Sequence, residues 1–108
     1  MVSTHFEQLT FSHFVDVPRC RCLFGSARDN SGKTHLYLLF NDHDVVYKRN
    51  GYKGTWEPIS SIFESKTVME RIHDAVESGV PRYSTDSTDL ILNESDRDCG
   101  IAVGYASE

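Results

Sequence analysis

Apolar positions recur at three- and four-residue spacing in one clear stretch, at Val68, Met69, Ile72, Ala75 and Val76. That period predicts a helix over 66–78 with one face turned to a core. Thr67 and Glu70 stand as a capping box near its start, and Gly79 followed by Pro81 marks its stop. Elsewhere the pattern has the shorter period of strands. The run HLYLLF has no polar alternation, which predicts a central strand over 34–40 covered on both faces. A strand over 19–24, the polar loop GSARDNSGK and the tight NDHD connection flank it.

The segment 44–56, DVVYKRNGYKGTW, reads as a hairpin, because Asn50-Gly51 supplies the two positive-φ residues of a type I′ turn between β-branched and aromatic runs. A two-residue loop there sets Arg49 opposite Tyr52, Tyr47 opposite Gly54 and Val45 opposite Trp56, with Lys48 and Lys53 facing water. Two segments are less decided. THFEQLTFSHFV fits a short helix, with Thr4 and Glu7 as a capping box, or a strand through Phe6, Phe11 and Val15. After the polar stretch PRYSTDSTD, the runs 90–92 and 101–106 predict a second hairpin about the loop NESDRDCG. The expected class is α+β: an antiparallel β-meander of about five strands packed against one main helix (66–78), with a second short N-terminal helix as an open alternative.

With 108 residues, 39% hydrophobic and 25% charged, the expectation is a single ordered globular domain over 1–108. No apolar run is long enough to span a bilayer, and the N-terminus lacks the basic start and apolar core of a secretion signal. A cytoplasmic location without a membrane partner follows as the expectation. Cys20, Cys22 and Cys99 are an odd set for such a chain, which favours reduced thiols over a disulfide framework. Cys-x-Cys is also not the usual zinc-ligand spacing, so neither a metal nor another cofactor is expected.

Charge changes the picture further. The net charge is −5, yet residues 45–56 carry three basic and no acidic side chains, while 81–108 carry two basic against six acidic. That distribution disfavours a broad nucleic-acid surface, which needs clustered Lys and Arg, and suits attraction of a basic protein. On the predicted helix, Glu70, Asp74 and Glu77 fall at i, i+4 and i+7, a like-charged stripe along one face. With Glu94, Asp96 and Asp98 in the C-terminal loop they form an acidic surface matched to a basic partner. Arg49 and Tyr52 in the hairpin are of the types that dominate interface hot spots, and join the candidate partner-binding residues.

Catalytic signals are weaker. Residues 27–34, ARDNSGKT, match a relaxed phosphate-loop pattern, but that chemistry needs a helix after the loop and HLYLLF is strand-like, so a hairpin loop is the expectation. Asp42-His43-Asp44 is what a turn favours, and His73-Asp74 is only a sequence neighbour pair. The sequence therefore specifies no catalytic residue and favours a binding protein over an enzyme. The leading expectation is an inhibitor that masks a basic, nucleic-acid-binding or nuclease surface, such as an immunity protein or a phage-encoded blocker. The alternatives are a small hydrolase or nuclease using His13, His43 or His73, and a nucleic-acid module using Lys48, Arg49, Tyr52 and Lys53. Exposed strand edges also leave a homodimer open.

Overall fold

The computed structural model describes residues 9–42, 44–49 and 56–88. Six strands, β1 (Thr10–Val17), β2 (Cys22–Arg28), β3 (Thr34–Phe40), β4 (Val46–Arg49), β5 (Glu57–Pro58) and β6 (Arg82–Ser84), form one sheet in the order β5-β4-β3-β2-β1-β6. The first five run as an antiparallel meander. β6 joins the far edge parallel to β1, with Phe14 opposite Arg82 and Asp16 opposite Ser84. A parallel neighbour needs a crossover, and the helix α1 (Ile62–Ser78) supplies it, lying against β4 and β1. The class is thus the expected α+β, with six strands rather than about five and a mixed rather than wholly antiparallel sheet. The N-terminal alternative resolves in favour of strand for residues 10–17; no second helix is seen among the described residues.

β1 explains why its segment was ambiguous as a sequence. Phe11 pairs with Ala27 but His13 pairs with Ser26, so the register slips at a β-bulge between Phe11 and His13. The extra residue returns Phe11 and Phe14, three positions apart, to the same face. Their rings stack at 5.0 Å and 22°. Beneath them is Gly25, where an added Cβ would stand 3.0 Å from Phe14 Cε1 and 3.1 Å from Phe11 Cε2. Glycine is used here for close approach, at a site read from the sequence as loop but built into β2.

Both faces of the sheet are buried. Under α1 lie Phe11, Phe14, Ala27, Tyr37, Val46 and Ile59, packed with Val68 and Ile72 of the helix. On the opposite face Val17, Phe24, Leu36, Leu38, Phe40, Tyr47 and Trp56 form a second cluster, in which Phe24 meets Trp56 edge-on at 6.1 Å and Phe40 meets Tyr47 at 5.6 Å. β3 contributes to both clusters, as its unbroken apolar run predicts.

The helix begins four residues before the expected Lys66, at Ile62. The cap is Ser61, whose Oγ accepts from the Glu64 N–H at 3.2 Å. Ser61 and Glu64 are themselves spaced as a capping box. Thr67, expected in that role, instead donates its hydroxyl to the Phe63 carbonyl within the helix at 3.0 Å. The stop is as expected. Gly79 adopts φ 96°, and its N–H and that of Val80 donate to Val76 and Ala75 in a Schellman arrangement. One buried polar contact pins the helix to the sheet: the Val46 N–H donates to Ser65 Oγ at 2.7 Å, with Ser65 only 1% exposed.

The strand expected over 19–24 starts later. Pro18–Cys20 make a single 3-10 turn, Arg21 follows in the left-handed region, and β2 runs from Cys22 through the supposed polar loop to Arg28. Cys20 is disulfide-bonded, which overturns the expectation of reduced thiols throughout; Cys22 is a buried free thiol, and Cys99 lies outside the described residues. The hairpin of 44–56 also changes register. Tyr47 faces Pro58 instead of Gly54, and Lys48 faces Glu57, so Asn50-Gly51 does not set a two-residue connection between these partners. Pro58, which has no N–H, suits the edge position of β5. Residues 50–55, the N-terminal 1–8 and the hairpin proposed within 90–106 lie outside the described residues.

Two substitutions test this packing by chemical denaturation. Gly25→Ala should destabilise by about 1–3 kcal/mol, because the new methyl overpacks against both phenylalanine rings. Ser65→Ala should lose about 1–3 kcal/mol by leaving the Val46 N–H buried and unpaired. Either variant with wild-type stability would contradict the corresponding contact.

Candidate functional site

Helical geometry sorts the side chains of α1. The inward positions include Ser65, Val68 and Ile72, all buried. The outward positions are Ile62, Phe63, Lys66, Glu70, His73, Asp74 and Glu77, all exposed. The three carboxylates expected to share a face do so. Glu70 and Asp74 are one turn apart, about 6 Å along the axis at 1.5 Å per residue. Unexpectedly, the N-terminal turn of the same face carries two large apolar side chains in water, Ile62 at 73% and Phe63 at 77% exposure. The helix thus buries Val68 completely while its first turn leaves Ile62 and Phe63 uncovered. Helical phase read from the sequence beyond Lys66 misses this pair; the Ser61-to-Glu64 cap would have revealed that the helix begins early enough to expose them.

The remaining candidate residues are not gathered here by the described structure. Arg49 lies in β4, half-buried, its guanidinium 5.6 Å from the centre of the Trp56 ring. Burial lowers its pKa from the ordinary arginine value. It is a partner of the core face more than a free cation at a tip. Tyr52, Glu94, Asp96 and Asp98 lie outside the described residues.

The histidines do not converge either. His73 is exposed on α1. His13 packs between Phe24 and Tyr83, at ring distances of 6.4 and 6.1 Å, helping to join β1 to β6. His43 is outside the described residues, beside exposed Asp42 and Asp44. The described residues contain no group of three or more His, Cys, Asp or Glu placed to hold a metal ion.

A different cluster, missed in the sequence, surrounds Asp29 in the β2–β3 loop. Its Oδ1 accepts from the Ser31 N–H at 2.9 Å, the Ser31 hydroxyl at 2.6 Å and the Lys33 N–H at 3.0 Å. Its Oδ2 lies 2.9 Å from His35 Nε2, and the aspartate side chain is only 6% exposed. The His35 contact first, and then the Ser31 hydroxyl, hold the Asp29 carboxyl well below the usual carboxylate range. His35 stacks on Tyr37 at 6.3 Å; burial, then the nearby Asp29 charge, push the Tyr37 phenol above its ordinary value.

Serine, histidine and aspartate are all present, but in the wrong order for acyl transfer. A serine nucleophile must give its proton to histidine, whereas Ser31 gives its hydrogen bond to Asp29. The cluster is a clasp that closes the hairpin: Gly32 at φ 87° makes the turn and the carboxylate caps it. The phosphate-loop pattern of residues 27–34 is thereby occupied by an antiparallel β-hairpin, as the strand-like continuation predicts.

The fold and surface thus define an α+β protein with a mixed sheet, one crossover helix, and an outward helical face that is apolar at one end and acidic at the other. No protein-family model, curated protein or solved structure matches the chain.

The Asp29 clasp carries a pH dependence. A carboxyl whose folded pKa is depressed contributes stability that is present above its unfolded value, near 3.9, and is lost as pH falls toward the folded value. Wild type should therefore lose stability below about pH 4 more steeply than Asp29→Asn, and the variant should be the less stable of the two at pH 7. Coincident acid limbs in urea melts would remove the clasp as a stabilising element.

Proposed function

We propose that this protein is a small inhibitor that binds a basic partner protein through the outward face of α1, masking a nucleic-acid-binding or nuclease surface. The observation that carries the reading is the continuity of two features on one face. Ile62 and Phe63 offer an apolar anchor at 73% and 77% exposure, and Glu70, Asp74 and Glu77 continue from it along the helix. Interfaces combine a desolvated apolar centre with charged surroundings. The anchor supplies affinity, and the carboxylates supply orientation and fast association with a surface rich in Lys and Arg.

The net charge of −5 favours the same encounter and opposes binding along a nucleic-acid backbone, which needs many clustered cations. A surface complementary to this face is one that itself binds nucleic acid, which is why inhibition by occupancy is the functional form. The hydrolase reading has less support, since the Ser-Asp-His cluster seen among the described residues is a turn clasp. The nucleic-acid reading has less support because the Arg49 guanidinium lies on the Trp56 ring.

The test is titration of purified nucleases and nucleic-acid-binding proteins with known basic sites, measuring affinity and residual activity. Wild type should inhibit at least one of them with a strongly salt-dependent association rate. Phe63→Ala should weaken binding by about 30-fold or more, as for a hot-spot residue. The triple variant E70K/D74K/E77K should slow association and abolish inhibition while keeping the fold, because all three side chains are exposed. Inhibition that survives both changes would remove α1 as the binding face.

A further inference from the structure

At one end of the sheet a cleft of about 400 Å³ opens between the β1–β2 turn, the β3–β4 turn and β6, lined by Asp16, Pro18, Arg21, Cys22, Asn41 and Ser84. Its lining includes no residue of α1, and it is independent of the function proposed for that helix. Arg21 is the one non-glycine at positive φ among the described residues, at 56°. Its N–H donates to the Pro18 carbonyl at 3.1 Å and its carbonyl accepts from the Asn41 N–H at 2.9 Å, so the backbone of this residue ties the two turns together. Glycine or asparagine would meet the conformational demand at less cost. The arginine adds a guanidinium to the wall.

Charge in the cleft is unbalanced toward the positive. The Asp16 carboxylate is already matched by Arg82, whose Nε and Nη2 donate to its two oxygens at 2.7 and 3.0 Å. Burial, and then the Asp16 charge, push the Cys22 thiol up to about 12, so it stays neutral and contributes no thiolate. Arg21 is thus the unmatched charge of the lining. The side chains of Asn41 and Ser84, also in the wall, make no hydrogen bond or ion pair among the described residues.

We propose that this cleft binds the phosphate group of a small ligand, with Arg21 supplying the charge and Asn41 and Ser84 supplying neutral donors. Three donors on three separate elements suit a tetrahedral group with several acceptor oxygens; a carboxylate, planar with two oxygens, is served by a single fork. The volume is in the range of small-ligand sites.

The probe is inorganic phosphate, titrated into the isotopically labelled full chain while backbone amide shifts are followed, with acetate at matched ionic strength as the second arm. Saturable shifts centred on residues 21, 22, 41 and 84 are expected for phosphate, and weaker ones for acetate. Arg21→Gly suits the left-handed backbone and keeps the turn; it should weaken phosphate binding by about ten-fold, and Arg21→Lys should fall between. The proposal is overturned by shifts that do not saturate, by shifts spread over the basic residues at large, by equal affinity in folded Arg21→Gly, or by acetate binding as tightly as phosphate.

Discussion

The fold depends on how two phenylalanines of β1 are brought onto one face. Phe11 and Phe14 are separated by an odd interval, so an unbroken strand would send them to opposite sides of the sheet. The bulge between Phe11 and His13 corrects the phase, and Gly25 leaves the space in which the rings stack. That pair becomes the floor on which Val68 and Ile72 of α1 rest. From the same point onward β1 presents Val15 and Val17 to the other face, and its free edge accepts β6. One inserted residue therefore sets the seat of the helix, the composition of both cores and the parallel edge.

The polar contacts divide the remaining labour. Ser65 fixes the helix to β4 at a single buried hydrogen bond, while Ile59 N–H donates to the Val46 carbonyl at 2.9 Å; both backbone groups of Val46 are satisfied by the chain that follows β4. Asp16 and Arg82 join β6 to β1 across 66 residues of sequence. This pair is partly in water, with side-chain exposures of 34% and 47%, and solvent screening keeps its energetic weight small. Its bidentate geometry specifies register more than it adds stability. The Asp29 clasp acts within one loop, where a carboxylate replaces the missing partners of three donors and a histidine.

The surface that results is polarised on a single element. Because α1 crosses the sheet with its apolar stripe inward, everything outward on it is displayed together: an apolar turn first, then acidic turns. The interior does not require Ile62 and Phe63, and that distinguishes them from the other large apolar side chains of the helix. A partner of opposite charge would meet the acidic turns at long range and the apolar turn on contact.

Helix, central strand and stop signal were legible in the sequence, because each rests on local chemistry: the period of Val68 to Val76, the apolar run of HLYLLF, and a glycine suited to positive φ at Gly79. The acidic stripe was legible for the same reason, as helical spacing alone puts Glu70, Asp74 and Glu77 on one side. What failed was whatever depends on contacts far apart in the chain. The bulge in β1 is defined only against β2, so alternation read along one strand could not find it. Tyr47 pairs with Pro58 and not with Gly54, a register set between β4 and β5 and not by spacing counted from Asn50-Gly51. β6 is three exposed residues without an apolar pattern, made a strand by the free edge of β1. The Arg21 cleft exists only where two turns and β6 meet. Sequence periodicity determined which residues of α1 face inward and that β3 is covered on both sides; tertiary structure decided the facing of β1 and which elements meet, because hydrogen-bond pairing between strands and the burial of two sheet faces are satisfied by the chain as a whole.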